Sequence, residues 1–170
     1  MTTECGRRAG AARTATVSRW LPFSCVDGPG NRLVLFLQGC NFACPGCHNP
    51  HTIGLCDHCG DCVPGCPSGA LTLREGRVSW QAAHCTDCDA CLDACPRSAS
   101  PKTATMTVAE VLALLRRYGP LLTGITVSGG EATTQLPFVI ALFTAIKGAP
   151  DLAHLGCLLD SNGSLAEAGW

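Results

Sequence analysis

Apolar residues fall along this chain in continuous runs and in periodic stretches. Residues 33–37, LVLFL, form an unbroken run between the turn-rich DGPGNR (27–32) and Gly39, which predicts a strand buried on both faces. ITVSGGE (125–131) predicts a second buried strand ending in a glycine turn, and GCLL (156–159) a third, running into DSNG (160–163). Between the first two the period changes. Val108, Val111, Leu112 and Leu115 recur at helical spacing behind a capping-box pair, Thr107 and Glu110, so an amphipathic helix is expected to end near Gly119 and Pro120. LPFVIALFTAIKG (136–148) predicts a mostly buried helix closed by glycine, and a new helix is expected after Gly163. At residues 70–73 and 77–80, ALTL and RVSW alternate apolar with polar positions around REG, as a short hairpin should.

Strand, helix, strand, helix, strand is the grammar of an α/β fold with a parallel sheet or barrel, in which functional groups collect at the C-terminal ends of strands. Three strands cannot close a barrel, so the expectation is a partial parallel (β/α) barrel and a chain that is the front part of something longer. The expected organisation is a flexible tail over 1–16, a first barrel segment over 17–50, an inserted domain over 51–103 and a continuing, incomplete barrel over 104–170. Ser98 to Thr105 would be the linker returning from the insert.

Hydrophobic residues make up 46% of the chain and charged residues 15%, a balance that supports a core and excludes disorder and a coiled coil. Twelve basic against thirteen acidic residues leave no positive field to draw nucleic acid or anionic lipid. No stretch reads as a signal-peptide core or a membrane span, so no membrane is expected and the cytoplasm is the expected location. There, 14 cysteines point to metal or redox chemistry rather than structural disulfides.

Eight of these cysteines form two copies of C-x2-C-x2-C-x3-C-P, offset by 29 residues: Cys56, Cys59, Cys62 and Cys66 before Pro67, then Cys85, Cys88, Cys91 and Cys95 before Pro96. In the bacterial ferredoxin pattern the fourth thiolate of each run ligates the other cluster. One [4Fe-4S] cluster is thus assigned to Cys56, Cys59, Cys62 and Cys95, the second to Cys85, Cys88, Cys91 and Cys66; zinc sites and disulfides are the alternatives.

Cys40, Cys44 and Cys47 are spaced C-x3-C-x2-C at the end of the first strand. Three thiolates leave one iron of a cubane open, the requirement for binding and reductively cleaving S-adenosylmethionine; a zinc site completed by His48 or His51 is the alternative. Ser128, Gly129, Gly130 and Glu131 offer close backbone approach and a carboxylate for an ammonium group, or simply a turn. Asp160 and Asn162 within DSNG offer oxygen ligands for a cation or a ribose, or again a turn. Cys25 and Cys157 read as small core residues, and Cys5 as a bystander.

Together these segments resemble the radical S-adenosylmethionine superfamily, specifically the activating enzymes of glycyl-radical enzymes. The carriers are FSCVDGPGNR (23–32), the Cys40/Cys44/Cys47 triad with His48 and Asn49, the two-cluster insert, TVSGGEAT (126–133) and LLDSNG (158–163). CHNPHTIG, the insert and SGGEATTQLPF look most like the YjjW-type activases. The resemblance implies three [4Fe-4S] clusters, a glycyl-radical enzyme as protein substrate and an electron donor such as flavodoxin or ferredoxin. It further implies that Glu131 with the Gly129-Gly130 backbone holds the methionyl amino group, and that Asp160 helps hold a monovalent cation. Asp27 to Gly30 would border the partner's glycine loop. The insert clusters would relay or tune the electron. Where many members carry an aromatic residue before the third cysteine, this chain has Gly46. The contrasting reading is an iron-sulfur electron-transfer protein in which only the insert functions.

Overall fold

The computed structural model describes residues 13–166. The expectations for the tail over 1–12, for Cys5 and for residues 167–170 lie outside the described residues. Strand β1 spans Thr14–Ser24, β2 Arg32–Leu37, β3 Leu71–Arg74, β4 Arg77–Trp80, β5 Ala104–Thr107, β6 Gly124–Gly129 and β7 Gly156–Leu159. Helix α1 is the short turn Ala90–Asp93, α2 is Val108–Tyr118 and α3 is Leu136–Gly148.

Five strands form one sheet in the order β5-β1-β2-β6-β7, and β3 with β4 forms a separate hairpin. Every residue of β2 is buried, as its unbroken apolar run requires. Its alternate residues Leu33, Leu35 and Leu37 join Ile125 and Val127 of β6 on one face. The apolar stripe of α2 and the largely apolar α3 close over that face with Val111, Leu115, Phe138, Val139, Leu142 and Ile146. Burial of each such side chain is worth about 1.5–3 kcal/mol. The parallel pairs β2 with β6 and β6 with β7 run in register from Arg32↔Gly124 to Leu37↔Gly129 and from Gly124↔Gly156 to Val127↔Leu159. All their C-terminal ends therefore lie on one side. The capping box of α2 forms as its sequence requires, with Thr107 Oγ1 accepting from the Glu110 N–H and Glu110 accepting from the Thr107 N–H.

The sheet is mixed rather than wholly parallel. Strand β1 pairs antiparallel with β2 on one side and with β5 on the other. Thr14 to Thr16, assigned to the tail, are thus strand, and Ala104 and Thr105 of the supposed return linker pair with β1 at Val17 and Thr16. The signal was weak because TATV and ATMT carry few large apolar residues; their order comes from pairing across some 90 residues of chain. Pro22 in β1 falls at a register irregularity between Leu21 and Ser24, where no ladder donor is needed. Cys25 is exposed rather than core, because β1 ends at Ser24 and the chain there turns into the 25–31 bend. Cys157 is partly buried against the core. After DSNG the described residues to 166 form no helix.

The DGPG bend is fixed to the sheet by Arg32, which is 3% exposed. Its guanidinium donates to Thr126 Oγ1 at 2.6 Å, to the carbonyls of Ile125 at 2.6 Å and Gly156 at 3.0 Å, and to Pro29 at 3.2 Å. Thr126 Oγ1 in turn donates to the Asp27 carbonyl. One side chain thus ties the bend to β6 and β7. Arg32→Met would leave several buried acceptors unpaired at ~1–3 kcal/mol each. We expect the unfolding midpoint to fall by about 6–12 °C, taking ~3 kcal/mol and 2–4 °C per kcal/mol for a chain of this size; differential scanning of the variant checks this.

Candidate metal centres

The end of β6 is built by close backbone approach. A Cβ on Gly129 would lie 2.2 Å from the Leu37 carbonyl oxygen, and one on Gly130 2.2 Å from that of Gly39. Gly129 also adopts a φ of 118°. Only glycine fits at both positions, so the neighbouring strand end by itself accounts for the pair. The Gly130 N–H donates to Leu37 and the Glu131 N–H to Gly39, stitching SGGE to the segment that enters Cys40.

Glu131 is 1% exposed, and its carboxylate is a hub. Oε1 accepts from the Thr133 N–H at 3.0 Å, Thr133 Oγ1 at 2.6 Å and Ser161 Oγ at 3.0 Å, while Oε2 accepts from the Asn162 N–H at 2.6 Å. Burial pushes its pKa up, but these donors outweigh burial and hold it below the usual carboxylate value. The hub joins SGGE to DSNG. Asn162 carries the connection further: its side-chain amide donates to Asn41 Oδ1 at 3.0 Å and lies 3.9 Å from Cys40 Sγ. Asn41 donates to Ser164 Oγ at 2.7 Å. Asp160 is exposed, and its N–H extends the β6 ladder to Val127.

The cysteine loop is held from its other side by Gln38, buried at the end of β2. Its amide donates to the carbonyls of His51 at 2.9 Å and Gly54 at 2.6 Å, while Gly39 and Cys40 donate from their backbones to Thr52 and Ile53. Residues 40–47 are thereby a loop pinned at its root, with Cys44 exposed and Cys40 and Cys47 half-buried. A cavity beside Cys40 is lined by Gly39, Asn41, Ile53, Leu55 and Thr134. Nothing lies within 4 Å of a Cβ placed at Gly46, where the resemblance leads one to expect an aromatic residue. His51 lines a different cavity, with Ser18, Arg19 and Lys102, and burial and Arg19 lower its pKa.

In the insert, one cavity is lined by Cys66, Cys85, Cys88 and Cys91, together with Leu71, Trp80, Asp89 and Lys102. These four thiols include one from the first copy and three from the second, the set assigned to the second cluster from spacing. Cys62 is buried, with Cys56, Cys91 and Cys95 as its electrostatic thiol neighbours, and burial pushes its pKa up to about 11. A metal there must displace a tightly held proton. Cys95 Sγ accepts from the Ala99 N–H, and Ala99 bridges to Gly54, which anchors the insert to the loop held by Gln38. Among the described residues no three His, Cys, Asp or Glu side chains converge on a point that could hold a single metal ion. A cubane, whose thiolates each bind a different iron, asks for four sulfurs around a cavity instead, and the four thiols of Cys66, Cys85, Cys88 and Cys91 in this lining offer that donor set.

Spacing singled out the thiols but missed their supports. Gln38 carried a weak signal as the first polar residue after LVLFL, Asn41 one as the neighbour of Cys40, and Lys102 none. Lys102 Nζ pairs with Asp89 at 2.7 Å and Asp87 at 3.2 Å; burial lowers its pKa, but the two carboxylates outweigh that and raise it.

Comparison with known proteins finds both cluster families and enzyme relatives. A 4Fe-4S dicluster domain family matches residues 55–100, and a 4Fe-4S single cluster domain family matches residues 26–65. The isethionate sulfite-lyase activating enzyme of Desulfovibrio desulfuricans is 33% identical over 143 residues, covering 71% of this chain and 45% of the relative. The choline trimethylamine-lyase activating enzyme of Oleidesulfovibrio alaskensis is 34% identical over 155 residues, covering 79% and 49%. The pyruvate formate-lyase-activating enzyme of Streptococcus mutans is 33% identical over 134 residues, covering 79% and 36%. The curated homologues of this chain are glycyl-radical enzyme activating enzymes, of the radical S-adenosylmethionine superfamily. It spans about half the length, or less, of the curated relatives it matches.

Glu131 makes its hub testable through pH. Its folded pKa is depressed, so the stability it contributes is fully present above the ordinary glutamate value and is lost as pH falls through the lowered folded value. Glu131→Gln should destabilise the chain by about 2–4 kcal/mol at neutral pH, because an amide turns a donor toward groups that already donate. It should also flatten the acid limb of a stability-against-pH curve measured by urea unfolding.

Proposed function

We propose that this chain carries the cluster-binding part of a radical S-adenosylmethionine activase that installs a glycyl radical on a partner enzyme. The single observation that carries the reading is the gathering of the Cys40 loop, SGGE and DSNG on the C-terminal side of β2, β6 and β7, locked together through Glu131 and Asn162. In this reading β2, β6 and β7 open a parallel (β/α) barrel, with residues 51–103 as an inserted two-cluster domain.

Cys40, Cys44 and Cys47 would hold a [4Fe-4S] cluster with one open iron. Cys56, Cys59, Cys62 and Cys95 would hold a second, and Cys85, Cys88, Cys91 and Cys66 a third. When bound, these clusters would supply one electron, drawn from a donor such as flavodoxin or ferredoxin, for the reductive cleavage of S-adenosylmethionine to methionine and 5′-deoxyadenosine, with the hydrogen atom coming from a backbone glycine of the partner. The chain's own groups bind and orient. Ser128, Gly129 and Gly130 shape the floor beside Cys40, Glu131 fixes Ser161 and Asn162, and Asp160 is free to take a monovalent cation. A direct hold of Glu131 on the methionyl amino group requires one of its four present donors to give way. The DGPG bend, tied down by Arg32, would border the partner's glycine loop. The insert-only alternative is not favoured, because the relatives match well beyond residues 55–100.

Two substitutions test the assignment on anaerobically reconstituted protein. Cys44→Ala should lower the iron content from roughly twelve to roughly eight per chain and abolish S-adenosylmethionine cleavage, since the triad has no spare thiolate; unchanged iron with full cleavage would overturn it. Cys66→Ala should disturb the same cluster signal as Cys91→Ala, not the one lost in Cys59→Ala, as read by electron paramagnetic resonance of the reduced protein.

A further inference from the structure

The two halves of the insert repeat in backbone as well as in cysteine spacing. Residues with positive φ recur as His58 and Asp87, Gly60 and Asp89, and Gly69 and Ser98, each pair offset by 29 residues. The hydrogen bonds Val63 N–H to Gly60, Cys66 N–H to Val63 and Gly69 N–H to Cys66 recur as Leu92 to Asp89, Cys95 to Leu92 and Ser98 to Cys95. The two halves therefore share a backbone pattern of turns, although most of their side chains differ.

One pair of positions departs in character. In the first copy Gly60 lies against Leu73, whose Cδ2 would be 3.0 Å from a Cβ at Gly60, an apolar contact. At the equivalent positions the second copy has Asp89 and Lys102, joined by the 2.7 Å ion pair. The Lys102 side chain is only 16% exposed, against 60% for Asp89 and 83% for Asp87. It lines the cavity of Cys66, Cys85, Cys88 and Cys91. A half-buried charge is screened less than exposed ones, so the lysine acts on that cavity more strongly than its position among two aspartates suggests.

We infer that Lys102 is a positioning residue which raises the reduction potential of the cluster held by Cys66, Cys85, Cys88 and Cys91, making the two insert clusters electrochemically unequal. The inference rests on the reading that the insert holds two clusters. Adding an electron to a cluster adds negative charge, and a fixed cation at the cavity wall favours that state. In the first copy the position equivalent to Lys102 is Leu73, which supplies no charge. The unequal pair gives the relay a defined order of filling, in which the second cluster accepts the electron at a higher potential than it would without the lysine.

The test is a redox titration of the full reconstituted chain followed by electron paramagnetic resonance, with the second-cluster signal identified as the one missing in Cys91→Ala. Lys102→Met should shift the reduction equilibrium of that cluster against reduction by about tenfold, which is about 59 mV for a one-electron couple, while Lys102→Arg restores it. Asp89→Gly recreates the first copy's residue at a positive-φ position that suits glycine, and should move the same midpoint upward. Leu73→Met, at the equivalent first-copy position, should move neither midpoint. An unmoved midpoint in Lys102→Met, with the cluster loaded, would overturn the inference; so would failure of Lys102→Arg to restore a shifted midpoint. If Lys102→Met does not load, Lys102→Gln is titrated in its place, a fall in the midpoint supporting the inference and no change overturning it. Failure of the underlying reading would show separately, as insert signals that persist in Cys91→Ala.

Discussion

Everything at the C-terminal end of the parallel strands depends on how closely the end of β6 lies over the end of β2. The glycine pair permits that approach, and the N–H groups of Gly130 and Glu131 then close onto the Leu37 and Gly39 carbonyls. This places Glu131 where water cannot reach it, so its charge must be met by protein donors. Those donors come from Thr133 and from the turn after β7, and they position Asn162 against Asn41 and Cys40. A steric constraint at two glycines thus becomes an electrostatic one at a carboxylate, and the carboxylate sets the geometry around the thiols.

The insert hangs from the same root. Gln38 holds the carbonyls of His51 and Gly54, and Gly54 bridges to Ala99, whose N–H reaches Cys95. Leu55 lies against Gly39 immediately before Cys56. The set that contains Cys56 and Cys95 is consequently the one joined to the Cys40 loop through short hydrogen-bonded connections. The set lined by Lys102 faces instead the cavity shared with Arg19 and His51. The two halves of the duplication have one backbone and different surroundings.

Long-period features were legible in the sequence. The β2 run, the capping box at Thr107 and Glu110, helix α3 and the doubled cysteine pattern all state their structure locally, through burial, spacing or a cap. Strands β1 and β5 did not, because TATV and ATMT owe their order to each other rather than to their own composition. Cys25 looked apolar by its neighbours yet falls one residue past a strand end. The supports of the site were equally hidden. Gln38 and Lys102 act through partners 13 or more residues away, and nothing in the sequence near Lys102 marks Asp87 and Asp89 as its partners.

The central claim is that the Cys40 loop forms a site with an open iron, distinct from the two closed sites of the insert. It is tested most directly by electron paramagnetic resonance of the reduced, reconstituted chain titrated with S-adenosylmethionine to millimolar concentration. The account predicts that one cluster signal changes, that this signal is the one missing in Cys44→Ala, and that the two insert signals stay fixed. A titration that alters none of the signals, or alters one belonging to the insert, would contradict it.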